Sequence, residues 1–117
     1  MNFLHATFSK TGKADAVLAD GQKLRLPDGL SLNDGASITV GLRPEHLKLS
    51  VDKGLTAEVG VIEPLGLSTQ FYASAAEFEL CVFAMGRPTV QAGDVVRLSI
   101  DPSALHLFDP TNGLRLN

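Results

Sequence analysis

The sequence predicts an all-β protein, a sandwich or closed barrel of about seven to nine short strands with one or two single-turn helices. Apolar residues alternate at period two in Leu24/Leu26, Ile38/Val40/Leu42, Leu47/Leu49/Val51, Ala57/Val59/Val61 and Val96/Leu98/Ile100, which marks half-buried strands. The 11 glycines and 6 prolines fall largely between these runs, where hairpin connections need them. Helical spacing of apolar residues is sustained nowhere beyond one turn. With no helix to cover a sheet face, the apolar faces must bury one another.

Taken in order, Ala16–Ala19 and Lys23–Leu26 flank Asp20-Gly21, which predicts a tight hairpin whose two central residues tolerate positive φ. Asp28-Gly29 and Asn33-Asp34-Gly35 mark turns before the strand through Ile38, Val40 and Leu42. Pro44 has no N–H and disfavours helical geometry at Arg43, so that strand must stop there. Pro44 then suits the first position of a single helical turn through Glu45 and His46. Leu47 resumes the alternation. The whole is a strand–corner–strand element, with Arg43 and Glu45 expected to pair with each other or with nearby backbone, or to form a contact surface. Glu63-Pro64-Leu65-Gly66 interrupts the alternation between Ala57/Val59/Val61 and Thr69/Phe71/Ala73, which predicts a bend or bulge. Met85 to Gly93 reads as a loop, and Ala92-Gly93-Asp94 as a turn. A turn over Pro102 to Leu105 precedes a last strand to Asp109, with Leu107 or Phe108 inside and His106 hydrogen-bonded at the rim.

A chain of 117 residues fits one domain, and at this length a self-sufficient core is attainable. With 44% hydrophobic and 20% charged residues it is too apolar for disorder. A net charge of −3, with Lys and Arg scattered singly, leaves no basic stripe for nucleic acid. No apolar run approaches the roughly 20 residues that cross a bilayer, and the N-terminus has no signal-sequence pattern. We expect a soluble, unexported chain. The single cysteine, Cys81, lies in Leu80-Cys81-Val82-Phe83 and reads as a small core residue rather than a reactive thiol.

No catalytic, cofactor or metal site emerges. Ser103, His106 and Asp109 are the residue types of a nucleophilic triad, but a turn followed by a strand sends them in different directions, and no Gly-x-Ser-x-Gly elbow is present. Thr11-Gly12-Lys13 fails the phosphate-loop pattern, since the first glycine falls at Thr7 and Lys13 is followed by Ala14. His5, His46 and His106 have no ligand spacing. Phe71, Tyr72, Phe78, Phe83 and Phe108 read as core or interface packing; Glu77 and Glu79 flank Phe78, which argues against a base-stacking platform.

Three motifs carry a family likeness: Gly41-Leu42-Arg43-Pro44-Glu45-His46-Leu47, Glu63-Pro64-Leu65-Gly66, and His106-Leu107-Phe108-Asp109-Pro110-Thr111-Asn112-Gly113-Leu114-Arg115-Leu116. The chain resembles the C-terminal TOBE region of ATP-binding subunits from sugar-importer ABC transporters, the maltose and glycerol-phosphate type. Even Met1-Asn2-Phe3-Leu4 looks like the first strand of that region. The resemblance implies one or two OB-like barrels, the final strand returning to complete the first, over residues 1–117. It assigns structural or interface roles to Arg43, Pro44, Glu45, His46, Glu63, Gly66, His106, Leu107, Phe108, Asp109 and Gly113, with Arg115 and Leu116 in the closing segment. Asn112 stands where the family usually has threonine, a change that keeps the turn chemistry. ATP and magnesium belong to an ATPase domain expected upstream of Met1; this chain itself is expected to hold no cofactor. The partners implied are that ATPase domain, a second subunit copy in a homodimer, membrane subunits reached through the ATPase domain, and a cytoplasmic regulator. The implied place is cytoplasmic, at the inner face of the membrane. A rival from another class is a sensor of an oxyanion or sugar, for which Ser68-Thr69 and Ser9 to Lys13 offer hydroxyl and lysine groups.

Overall fold

A computed structural model describes residues 1–117. The strands are β1 (Asn2–Ser9), β2 (Asp15–Val17), β3 (Lys23–Arg25), β4 (Ser37–Leu42), β5 (Lys48–Ser50), β6 (Leu55–Pro64), β7 (Ser68–Ala75), β8 (Phe78–Met85), β9 (Val95–Ser99) and β10 (His106–Phe108). Two single-turn 3₁₀ helices, Pro44–His46 and Pro102–Ala104, complete the regular structure. Ten strands are slightly more than the alternation suggests, because β2, β3, β5 and β10 are only three residues long. They form two antiparallel five-stranded sheets, ordered β10-β4-β1-β2-β3 and β5-β9-β6-β7-β8. The last strand leaves the second sheet and returns to the first, beside β4. A single cluster of 23 buried apolar residues runs between the sheets, so one core serves both.

β1 is paired with β4 along its length but with β2 only over Thr7 to Ser9. Its first half faces the edge of β8 without backbone bonds, and a side chain bridges the gap. The Asn2 amide donates to the Cys81 carbonyl (2.8 Å) and accepts from the Cys81 N–H (2.9 Å). Gln22, in the loop between β2 and β3, does the same to β6 of the other sheet, accepting from the Thr56 N–H (2.7 Å) and donating to its carbonyl (3.2 Å). Asn117 accepts from the Leu107 N–H (2.9 Å) and donates to the Leu105 carbonyl (2.9 Å). Each amide carries one donor face and one acceptor face, so it substitutes for a peptide group where no strand reaches.

Several local expectations are corrected. The Asp20-Gly21 turn has positive φ only at Gly21 (+89°); the Leu18 N–H bonds the Gln22 carbonyl at 2.8 Å, making a three-residue loop with glycine at its left-handed position. The bulge lies earlier than Glu63-Pro64-Leu65-Gly66. Val59 pairs with Ala73 and Ile62 with Phe71, so Gly60 and Val61 together oppose Tyr72. That extra residue reverses the alternation and turns Val61 outward, 61% exposed. Glu63 and Pro64 finish β6, and Gly66 (φ +89°) opens a two-residue hairpin loop with Leu67, closed by the Leu65 N–H on the Ser68 carbonyl at 2.8 Å. Leu49 and Val51 do not extend the core stripe begun by buried Leu47; Leu49 sits at the rim and Val51 lies past the end of β5, 98% exposed. Cys81 is half-buried on an edge strand rather than in the core, and burial pushes its thiol pKa up.

The β7–β8 hairpin leaves no sequence signal, because Ala76 (φ +50°) and Glu77 (φ +71°) occupy left-handed positions that usually take Gly or Asn. Glycine at 77 is expected to remove about 1 kcal/mol of this conformational cost. Denaturant unfolding should therefore show Glu77→Gly more stable than the parent; a lower midpoint would contradict the assigned turn.

Candidate functional site

The corner begins where β4 ends. Arg43 is extended (φ −77°, ψ 137°) and caps the 3₁₀ turn without a side-chain bond, while Pro44 takes the first helical position. The Leu47 N–H closes the turn on the Pro44 carbonyl at 3.4 Å, and Leu47 enters the core. The turn packs against β8, and Pro44 and Glu45 line a shallow hollow with Gln70, Cys81 and Phe83. The expected pairing of Arg43 and Glu45 does not form: both are exposed, and the one salt bridge of the chain joins Arg25 to Asp15 at 2.8 Å. The His46 Nδ1 is buried and has no partner.

The closing strand is prepared by Asp101, whose carboxylate accepts from the Ser103 N–H (2.9 Å) and hydroxyl (2.8 Å). These bonds hold its pKa below the ordinary carboxylate value. β10 then runs antiparallel to β4, with His106 opposite Gly41, Leu107 opposite Val40 and Phe108 opposite Thr39. Leu107 is wholly buried and Phe108 half-buried on the outer face. Asp109 organises the turn that follows, accepting from the Thr111 N–H on its side chain (2.8 Å) and from the Gly113 N–H on its carbonyl (2.8 Å). Gly113 (φ +72°) lets the chain double back so that Arg115 bridges Phe108 and the Leu116 N–H reaches the Leu107 carbonyl at 2.7 Å. Ser103 and Asp109 thus spend their polar groups within their own turns, and His106 makes no ring hydrogen bond at the rim, contrary to expectation.

Register brings two of the three motifs onto one surface. Phe3, Gly41 and His106 lie in one row across β1, β4 and β10. Side chains two residues apart on a strand share a face, so Arg43 and Phe108 join them, with Arg115 beside Phe108 through its bridge. Phe3 and Phe108 meet edge to face at 6.0 Å. A Cβ on Gly41 would come within 2.6 Å of the Met1 sulfur, 3.1 Å of a Phe108 ring carbon and 3.4 Å of the His106 Cβ; the missing side chain lets these three fold over the strand. Phe3, Thr39, Phe108, Asp109, Pro110 and Gly113 line a hollow of about 340 Å³ there. The third motif is elsewhere: Glu63 and Gly66 stand at the exposed tip of the β6–β7 hairpin. The roles of Phe3 and Gly41 escaped the sequence reading, although a glycine inside an alternating strand is a mark of close approach.

The charges on this surface are felt at His106. Partial burial lowers its pKa below 6.5 first, and the positive charges of Arg115, Arg43 and His46 lower it further. The unfolded chain therefore binds the proton before the folded one, so stability is expected to fall as pH drops below about 6.5. Replacing His106 by Gln should flatten that part of the pH–stability curve. Loss tied to Asp20 and Asp101, whose carboxyl pKa values are lowered below 3.8 by hydrogen bonds, belongs to more acidic solutions. An unchanged slope between pH 7 and 5 in the variant would exclude His106 as its source.

Two curled sheets of short antiparallel strands, joined by corners and closed by a returning last strand, define an OB-type β-module. Its surface holds no assembled catalytic constellation. A family model described as the TOBE domain matches residues 40–108, and one described as the MalK OB fold domain matches residues 1–47. The chain belongs to the TOBE domain family, as found in sugar-importer ABC ATP-binding subunits. It is 36% identical to an uncharacterized ABC transporter ATP-binding protein, y4oS, of Sinorhizobium fredii over 99% of its own length and 31% of that protein's. It is 38% identical to the alpha-glucoside transport ATP-binding protein AglK of Rhizobium meliloti over 97% of this chain and 33% of the relative. With the sn-glycerol-3-phosphate import ATP-binding protein UgpC of Yersinia enterocolitica it shares 32% over 99% and 33%. The chain thus spans about a third of the length of these relatives. Among solved structures, the cytoplasmic molybdate-binding protein ModG with molybdate bound superposes with a TM-score of 0.77 at 17% identity, covering 93% of this chain and 96% of that one. At that identity the likeness establishes the fold.

Proposed function

We propose that this chain is the non-catalytic C-terminal regulatory and dimer-contact domain of the ATP-binding subunit of an ABC importer for a carbohydrate or polyol. The observation that carries the reading is coverage: relatives with import functions match nearly the whole chain, while it spans about a third of each of them. In this reading ATP and magnesium are bound by an ATPase domain outside these residues, which also contacts the membrane subunits at the cytoplasmic face. The domain itself contacts a second copy and a cytoplasmic regulator. Arg43, Pro44, Glu45, His46, Glu63, Gly66, His106, Leu107, Phe108, Asp109 and Gly113 shape the domain or its contacts rather than perform chemistry. No helix of the chain is long and apolar enough to cross a membrane.

The oxyanion-sensing alternative has the ModG fold on its side. Its candidate residues belong to different sheets: Ser9 ends β1, with Lys10 to Lys13 after it, whereas Ser68-Thr69 begin β7 in the other sheet, where buried Thr69 gives its hydroxyl to the Gly86 carbonyl at 2.7 Å. The reading frame encoding the chain supplies the first test: an ABC ATPase domain ahead of Met1 is expected, and a frame without one overturns the proposal. Calorimetric titration of the isolated chain should give no heat of ATP binding, because it has no glycine-rich nest with a phosphate-facing lysine and magnesium-holding hydroxyl. Sedimentation equilibrium should find mostly monomer at micromolar concentration, since a contact held by attached ATPase domains gains its strength from their effective concentration.

A further inference from the structure

We propose that the outer face of the β10-β4-β1 half-sheet, centred on Gly41, docks an acidic protein segment carrying an aromatic or aliphatic side chain. The inference rests on the regulatory reading above and deepens it by naming the surface and the chemistry of the partner. The apolar part of the surface is Phe3 and Phe108, packed on each other, with Met1 lying over Gly41. Phe3 remains 55% exposed and Phe108 is half-buried, so the two rings form an open apolar platform. The hollow beside it, lined by Phe3, Thr39, Phe108, Asp109, Pro110 and Gly113, has room for one large side chain.

Charge selects the partner. Arg43 and Arg115 are exposed at the borders of this face, His106 lies between them, and none has a salt-bridge partner. The acid of the closing segment, Asp109, lines the hollow but its carboxylate already accepts from the Thr111 N–H. A chain of net charge −3 has therefore placed two arginines without salt-bridge partners beside its exposed aromatic pair. Their like charges repel, and after burial, the larger cause, they lower the proton affinity of His106 further. Carboxylates from a partner would relieve that repulsion, while an apolar anchor would cover Phe3 and Phe108. A second copy of this chain would need to bring an acidic patch to a face that is itself cationic, which a two-fold contact through this surface cannot do.

The test uses the 117-residue chain and a fluorescein-labelled peptide of Glu residues around a central Phe-Glu-Leu. Anisotropy should show saturable binding that weakens as salt is raised. A Gln-for-Glu peptide should bind about tenfold more weakly or worse. The double variant Arg43→Glu/Arg115→Glu should lose the acidic peptide and gain its Lys-for-Glu counterpart. Phe3→Ser should weaken binding while the net charge is unchanged. These positions are exposed, and unfolding midpoints equal to the parent's will show that the variants fold. The proposal is overturned if the acidic peptide does not bind, if charge reversal leaves its affinity unchanged, or if a labelled oligothymidylate binds as tightly. It is also overturned if the double variant abolishes self-association of the parent in sedimentation, which would make a second copy the occupant. A negative peptide result leaves the importer-subunit assignment standing, because that depends on the encoding reading frame.

Discussion

Replacing Gly54 by alanine should destabilise this domain by about 3 kcal/mol or more. Gly54 sits between β5 and β6 with φ +111°, a backbone conformation from which a Cβ is largely barred. Space is short as well as torsion. A Cβ built there would lie 2.2 Å from the Leu98 carbonyl oxygen, 2.4 Å from its carbon and 2.7 Å from the Ser99 nitrogen. All three are backbone atoms of β9, the strand that pairs with both β5 and β6. No side-chain rotation relieves such a contact, so the strand must move, and with it the fully buried Leu98. The contrast is Gly12→Ala, where φ is +86° but nothing lies within 4 Å; it should cost only the torsional part, about 1 kcal/mol. Chemical denaturation of the two variants separates steric from torsional cost, and equal losses would remove the steric account.

Leu107→Ala should cost about 3 kcal/mol, the usual scale for truncating a fully buried leucine and leaving a cavity. Leu107 has no exposed surface and faces Val40 across the last strand pair. Its backbone is also held twice, by the Asn117 side chain and by the Leu116 N–H, so local collapse around the cavity is restrained. Phe108→Ala should cost about 1 kcal/mol, because that ring is half-buried and packs edge to face on the ring of Phe3. Equal stabilities for the two variants would mean that the closing strand is wrongly seated. A large loss from Phe108 alone would mean that the strand is turned over, since a one-residue slip exchanges the two faces.

The core stripes of β3, β4 and β9 were legible from alternation because period two follows directly from the pleat. The single helical turn at Pro44 was legible for a related reason: proline fixes φ and removes a donor wherever it stands. The motif residues of the corner and the closing segment were named from the sequence, but their arrangement was not. Nothing local says that Arg43, His106 and Arg115 share a face with Phe3. That follows from β10 pairing with β4, a contact between residues more than sixty positions apart. The place of the bulge was equally hidden, because Gly60 and Val61 oppose Tyr72 only through the register chosen by β7.

What the sequence determined by itself is therefore the set of effects confined to a few neighbouring bonds: strand periodicity, turn chemistry, the all-β class, and the failure of the catalytic and phosphate-loop patterns. The tertiary structure decided which strands became edges, where side-chain amides had to stand in for missing backbone partners, and which outward-facing residues gathered around Gly41. The physical reason is range. Torsional preferences and hydrophobic alternation act along the chain, whereas pairing and packing join segments whose separation the local sequence does not encode. Ala76 and Glu77 mark the limit: their own preferences oppose the left-handed turn, and the paired strands β7 and β8 hold them in it.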